Sequence, residues 1–201
     1  MPTAARPSTR EAVTSGGALI AVVGPSGCGK DTLMNFAREA LADRPDIFFV
    51  RRVITRPADG ATEDHTPATF DEFERKKRDG AFAFDWEAHG LKYGLPAEID
   101  ERIKRGDCAV CNGSRAALPG LSKHYANLLV ISITASPHIL ASRLALRGRE
   151  SEDDIRARLE RNNALENGWS GAVFVDNSTS VQAGGEKLVE AILDRTAAGK
   201  I

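Results

Sequence analysis

Residues 18–23 (ALIAVV) form an unbroken apolar run that stops at the glycine-rich segment Gly24-Pro25-Ser26-Gly27-Cys28-Gly29-Lys30-Asp31. Such a run fits a strand buried on both faces of a parallel sheet, although its period alone leaves a buried helix open. The residues beyond the glycines decide between them. Leu33, Phe36, Ala37, Ala40 and Leu41 recur at helical spacing, so the order is strand, loop, amphipathic helix. Glycines in the loop let the backbone wrap closely around an anion and aim successive N–H groups inward, while the helix presents its positive end to the same charge. The segment meets the phosphate-loop pattern G-x-x-x-x-G-K and departs from it at the next position, where Asp31 stands in place of Ser or Thr.

The rest of the chain alternates in the same way. Strands are expected at 47–53, 108–111, 128–134 and 172–175, with helices near 96–105, 114–125 (interrupted by Pro119), 137–147, 155–166 and around Leu188 to Leu193. Ser151 and Asp154 resemble a capping box. Residues 54–95 differ in character, because Pro57, Gly60, Pro67, Gly80, Gly90 and Gly94 break them into short segments. They suit a small substrate lobe better than the central sheet. Alternating strands and helices favour a three-layer α/β domain with a parallel sheet. With 201 residues, 42% hydrophobic and 27% charged, the chain is long enough for one domain with an inserted lobe.

Lys and Arg total 27 against 28 Asp and Glu, for a net charge of −1, which argues against a dedicated nucleic-acid binder. No run reaches membrane-spanning length, and residues 1–17 lack the apolar centre of a signal peptide. They read as a disordered tail before a cytoplasmic domain. Three cysteines are too few for a disulfide framework, and Cys108 and Cys111, three apart on a strand, point to opposite faces. The four histidines show no metal-ligand spacing.

Three constellations bear on chemistry. In the loop, Gly24, Pro25, Ser26, Gly27, Cys28, Gly29 and Lys30 are expected to hold nucleotide phosphates. Asp31, with Thr32 as second choice, is expected to hold Mg²⁺, since a carboxylate beside a triphosphate is repelled unless a cation lies between them. Arg143 and Arg147 share a helix face at i, i+4, and Arg158 and Arg161 lie beyond them. Solvated helices laced by salt bridges would explain them individually; beside a phosphate loop they suit a lid that closes over a transferring phosphoryl group. Arg51, Arg52 and Arg56 end the second strand, on the side where α/β sheets bind ligands, with Thr55, His65, Lys92, Tyr93 and Arg115 downstream.

The loop, the I-T-R segment at 54–56 and the R-x-x-x-R-G segment at 143–148 together resemble the guanylate kinase branch of the P-loop nucleoside monophosphate kinases. Arg56 and Tyr93 match that family's phosphate-contacting Arg and Tyr. Arg52, Phe84 and Leu95 stand where it places a guanine-contacting Ser, the guanine-reading Glu and a second Ser. Each departure removes a hydrogen-bonding partner of the base. These departures are similar to the ribose 1,5-bisphosphate phosphokinases, which the sequence also matches at G-P-S-G-x-G-K-D, at R-x-I-T-R (52–56), E-x-H (63–65), G-L-x-Y-G (90–94), E-I-D (98–100), N-G-S-R (112–115) and R-G-R-E (147–150).

That resemblance implies a P-loop NTPase fold: a three-layer α/β/α domain over 18–201 around a central parallel five-stranded sheet, with a substrate lobe at 54–95 and a helical lid at 137–158. It implies ATP and Mg²⁺ as cofactors and small-molecule substrates, and leaves room for a homodimer. Lys30, Arg143, Arg147 and Arg158 take the catalytic roles, and Arg52, Arg56, His65, Tyr93, Asn112 and Arg115 the acceptor phosphates. The alternatives are a nucleoside monophosphate kinase with altered base preference and a non-catalytic guanylate-kinase-like module.

Overall fold

The computed structural model describes residue 13 and residues 16–57, 64–146 and 169–198. Strand β1 (Ala18–Val23) is buried along its whole length at the middle of a five-stranded sheet. Its neighbours are β7 (Cys108–Asn112) on one side and β8 (Leu128–Thr134) on the other; β2 (Ile47–Phe49) and β9 (Val173–Asp176) form the edges, and every pairing is parallel.

Alternation along β1 divides the core in two. Ala18, Ile20 and Val22 pack with Leu33 and Ala37 of α1 (Lys30–Ala40) and with Leu188 and Ile192 of the C-terminal helix α6 (Val181–Ala198). Leu19, Ala21 and Val23 pack with Ile99 and Ile103 of α3 (Glu98–Lys104) and Leu121 of α4 (Leu118–His124). Cys108 lies in the first cluster and Cys111 in the second, on opposite faces as expected. Helix α5 (Pro137–Leu146) joins the first face through Leu140.

A second sheet of four strands carries β4 (Thr66–Pro67), β3 (Val53–Ile54), β6 (Leu91–Pro96) and β5 (Phe82–Ala88) in that order. Here the chain departs from the sequence reading. The run expected as one strand over 47–53 is two: Val50 still donates to the Val110 carbonyl at 2.8 Å, after which Val53 pairs with Gly94 and Thr66. The exchange falls at Arg51 and Arg52, and two arginines at the end of an apolar run read equally well as the end of a single strand. Gly90 separates two short strands as expected, whereas Gly94 lies inside β6. His89 (φ 53°) and Gly90 (φ 73°) form the two-residue turn of a hairpin whose twist matches its strands. Between β4 and β5 lies α2 (Phe70–Arg78).

Pro119 also does not interrupt a helix. A 3₁₀ turn (Arg115–Ala117) precedes α4, and the proline sits in the first turn of α4, where a missing N–H costs nothing. The capping box expected at Ser151 and Asp154, the helix over 155–166 and, of the tail expected at 1–17, residues 1–12 and 14–15 lie outside the described residues. Val13, within that tail, is buried and donates to the His124 carbonyl at 2.9 Å, so it is held against the end of α4. A capping box is formed by Thr69 and Glu72 at the start of α2.

Candidate active site

All five central strands run the same way, so their carboxyl ends meet along one edge, where open α/β sheets place ligands. From β1 the chain enters the glycine loop. Gly24, Gly27 and Gly29 all take positive φ (153°, 85° and 86°), a conformation that favours glycine. A Cβ at Gly24 would stand 2.3 Å from the Ile133 carbonyl oxygen. Lys30 opens α1 and folds over the loop, its Nζ donating to the carbonyls of Gly24 (2.9 Å) and Pro25 (3.2 Å). The ammonium therefore lies over the loop that the phosphates would enter.

Asp31 comes next in the first turn of α1 and accepts a 2.7 Å hydrogen bond from the Asn112 side-chain amide at the end of β7. Register explains the meeting, since Asn112 lies beside Val22 on the adjacent strand. The sequence reading placed Asn112 with the acceptor; here it holds the carboxylate expected to hold the metal. Thr32 is exposed. Among the described residues no three His, Cys, Asp or Glu groups cluster as a metal site. A single oriented carboxylate still suits Mg²⁺, which takes one or two carboxylates together with substrate phosphates.

On the acceptor side the three arginines separate. Arg51 is exposed and paired with Asp64 at 2.8 Å. Arg52 is buried, 5% exposed, with its guanidinium 5.0 Å from the ring centre of Tyr93 and 5.7 Å from that of Trp86. Those two rings stack across the β5–β6 hairpin at 5.2 Å and 10°, so the arginine lies beside an aromatic pair. It is also close enough to Cys111 to pull its thiol pKa down, yet burial wins and pushes that pKa up to about 12. Arg56 reaches His65: its Nη2 is 3.5 Å from Nδ1, and Nε2 of the same ring is 3.3 Å from the Arg56 carbonyl oxygen. His65 is buried. Lys92 forms an ion pair with Glu74 at 2.5 Å. Arg115 begins the 3₁₀ turn just past the end of β7. Asp100 accepts from the Tyr125 hydroxyl at 2.9 Å, tying α3 to the end of α4.

Phe84 and Leu95 leave no polar edge. Leu95 is fully buried, and the Phe84 ring presses so closely on α4 that a Cβ at Gly120 would lie 2.7 Å from it.

Arg143 on α5 donates to the Cys28 carbonyl (3.4 Å) and the Asn177 carbonyl (3.0 Å), so it meets the back of the loop. Arg147 and Arg158 lie outside the described residues. Two neighbours were not anticipated. Asn177, just past β9, is 2% exposed and donates from Nδ2 to the Cys28 carbonyl at 2.7 Å. Trp86 is the other. The end of a short apolar strand was the available signal for Asn177; Trp86 shares its strand face with Phe84, a pattern that alone indicates packing.

No family model matches the chain. Ribose 1,5-bisphosphate phosphokinase PhnN of Agrobacterium fabrum is 45% identical over 174 residues, covering 87% of this chain and 95% of the relative. The proteins of that name from Rhizobium etli (46%; 89% and 90% covered) and Thiobacillus denitrificans (40%; 91% and 96% covered) match over nearly the same extent. The chain belongs to the ribose 1,5-bisphosphate phosphokinase PhnN family. A crystal structure of guanylate kinase from Anaplasma phagocytophilum superposes with a TM-score of 0.64 at 18% identity, over 91% of this chain and 88% of that one. A PhnN-family chain thus carries the guanylate kinase fold, in which a P-loop leads from the central strand of a parallel sheet into a helix. Among the described residues no helix is long and apolar enough to cross a membrane.

Proposed function

We propose that this chain transfers the γ-phosphoryl group of ATP to the 1-phosphate of ribose 1,5-bisphosphate, yielding 5-phosphoribosyl 1-diphosphate and ADP. One observation carries the choice of acceptor beyond family membership: a buried arginine, Arg52, stands beside the Tyr93–Trp86 stack, while Phe84 and Leu95 are committed to apolar packing. An acceptor with two phosphates and no base asks for positive charge and for no group that reads a purine edge. A nucleoside monophosphate asks for charge at one phosphate and for groups that read its base.

In this reading an oxygen of the 1-phosphate attacks the γ-phosphorus. The new P–O bond forms as the bond to the β-bridging oxygen breaks, and ADP leaves with that electron pair. The attacking oxygen is already anionic, so no general base is needed. The remaining task is to bring two mutually repelling anions into line and to neutralise the charge that develops between them. The loop amides from Gly24 to Lys30 and the Lys30 ammonium hold the ATP phosphates. Arg52, Arg56, Tyr93 and Arg115 hold the acceptor, with His65 bracing Arg56. Asp31, oriented by Asn112, is the ligand for Mg²⁺, which supplies charge neutralisation at the phosphate oxygens when bound. Arg147 and Arg158 complete the lid, and Arg143 braces the loop from behind.

Incubation with ATP, Mg²⁺ and ribose 1,5-bisphosphate, followed by ³¹P NMR, is expected to show the coupled pair of resonances of a diphosphate ester, and no ADP formation with GMP or AMP as acceptor. Rapid turnover of GMP without turnover of ribose 1,5-bisphosphate would overturn the assignment.

A further inference from the structure

In a phosphate cradle the N–H groups face the ligand, so a carbonyl turned away from it needs a donor behind the loop. At the Cys28–Gly29 peptide that donor is remote in sequence. Asn177 Nδ2 donates to the Cys28 carbonyl at 2.7 Å, and Arg143 Nη1 reaches the same oxygen at 3.4 Å. Arg143 Nη2 also donates to the Asn177 carbonyl at 3.0 Å, and the Asn177 N–H donates to the Thr134 carbonyl at 2.8 Å. Asn177, just past β9, and Arg143 of α5 thereby meet on a single loop oxygen, and Thr134 at the end of β8 holds the Asn177 backbone.

We infer that Asn177 is a positioning residue of the phosphate loop, holding the Cys28–Gly29 peptide plane so that the Gly29 N–H faces the nucleotide phosphates. In a planar trans peptide the carbonyl and the following N–H point in opposite directions. Pinning the Cys28 oxygen outward therefore turns the Gly29 N–H inward. Gly29 itself is left-handed, at φ 86° and ψ 23°, and no side chain caps α1 there, so nothing local fixes this plane. The fit is close, since a Cβ at Gly29 would stand 2.5 Å from Asn177 Nδ2. Asn177 Oδ1 is buried with no hydrogen-bond partner among the described residues, and a Cβ at Gly184 would lie 2.7 Å from it. A residue kept for packing alone would not bury an unused acceptor. The amide is oriented by its one strong bond, toward the loop.

This inference rests on the proposed role of the loop as the nucleotide site, and its test separates the two. Asn177→Leu keeps the size and removes the donor. ATP and acceptor constants are measured on the full chain together with its thermal midpoint. The dissociation constant for MgATP is expected to rise about tenfold, the order of one hydrogen bond that strengthens with a charged ligand, while the KM for ribose 1,5-bisphosphate moves less than twofold. An unchanged MgATP constant, or both constants rising in parallel, overturns the inference. In ¹⁵N-labelled wild-type protein the Gly29 amide is expected to move downfield on addition of MgADP, and this measurement decides the matter should the variant fail to fold. A Gly29 amide that does not respond while the nucleotide binds overturns the positioning role alone. Absence of nucleotide binding by the wild-type chain overturns the loop reading and the positioning role with it.

Discussion

Arg52 and Asn112 show how much a single side chain's surroundings alter its role. An arginine placed for its charge toward a ligand gives way to an apolar chain of similar length with little loss of stability, whereas one on which buried neighbours rely does not. Arg52→Met is therefore expected to leave the thermal midpoint within about 3 °C of wild type or above it, while the KM for ribose 1,5-bisphosphate rises about tenfold or more, the order expected for one lost charge-assisted contact. Circular dichroism melts and steady-state kinetics read the two effects separately; a falling midpoint with an unchanged KM would assign Arg52 to the core. In the proposed site Asn112 acts through Asp31, which it meets at 2.7 Å. Removing such an outer partner of a metal ligand typically costs 10- to 100-fold in metal affinity. Asn112→Ala should accordingly raise the Mg²⁺ concentration for half-maximal rate by about tenfold or more. An unchanged Mg²⁺ titration would return Asn112 to the acceptor site.

At the scale of elements, α2 is the helix whose entry is most fully accounted for. The Glu72 amide donates to Thr69 Oγ1 at 3.2 Å, and Glu72 Oε2 accepts from the Thr69 amide at 2.8 Å. Thr69→Ala is expected to cost about 1 kcal/mol, read from denaturant midpoints. The backbone hydrogen bond from Thr69 holds the Glu72 carboxyl below its ordinary value of 4.5, so the carboxylate's contribution is present above that value. It is lost as pH falls through the lower folded value. The difference between wild type and Glu72→Ala should thus narrow as pH falls below the ordinary carboxylate range; a difference that widens there would contradict the capping role. The β5–β6 hairpin bears on chemistry more directly, because its register sets Trp86 opposite Tyr93 and so builds the aromatic pair beside Arg52.

For the molecule as a whole, the parallel sheet has a consequence for its thiols. Cys28, Cys108 and Cys111 are all buried, at the loop and on the two faces of β7. Burial holds Cys111 near 12, far from thiolate formation at neutral pH. The native protein is expected to leave an aromatic disulfide reagent such as DTNB unreacted for minutes, and to release three thiols per chain once unfolded in guanidinium. Prompt reaction of one thiol in the native state would show that the loop around Cys28 opens. The two-sided core also sets the cost of damage to either face. Leu33→Ala on the α1 face should lose about 2–5 kcal/mol, since its side chain is fully buried against the sheet.

The alternation of apolar runs with helical spacing was enough to establish the layered parallel fold, and the order of short motifs was enough to establish the family, because both are local in the chain. The conformation of the glycine loop was legible for the same reason: it is confined to one strand-to-helix turn. The tertiary structure decided the partnerships. Whether the chain beyond Phe49 stays in the central sheet, which side chain meets Asp31, and which groups meet the Cys28 carbonyl are questions of strand order and register. Asn177 lies 149 positions from the carbonyl it holds. Only the adjacency of β8 and β9 at the sheet's carboxyl edge brings it there, and a spacing of that length carries no periodic signal along the sequence.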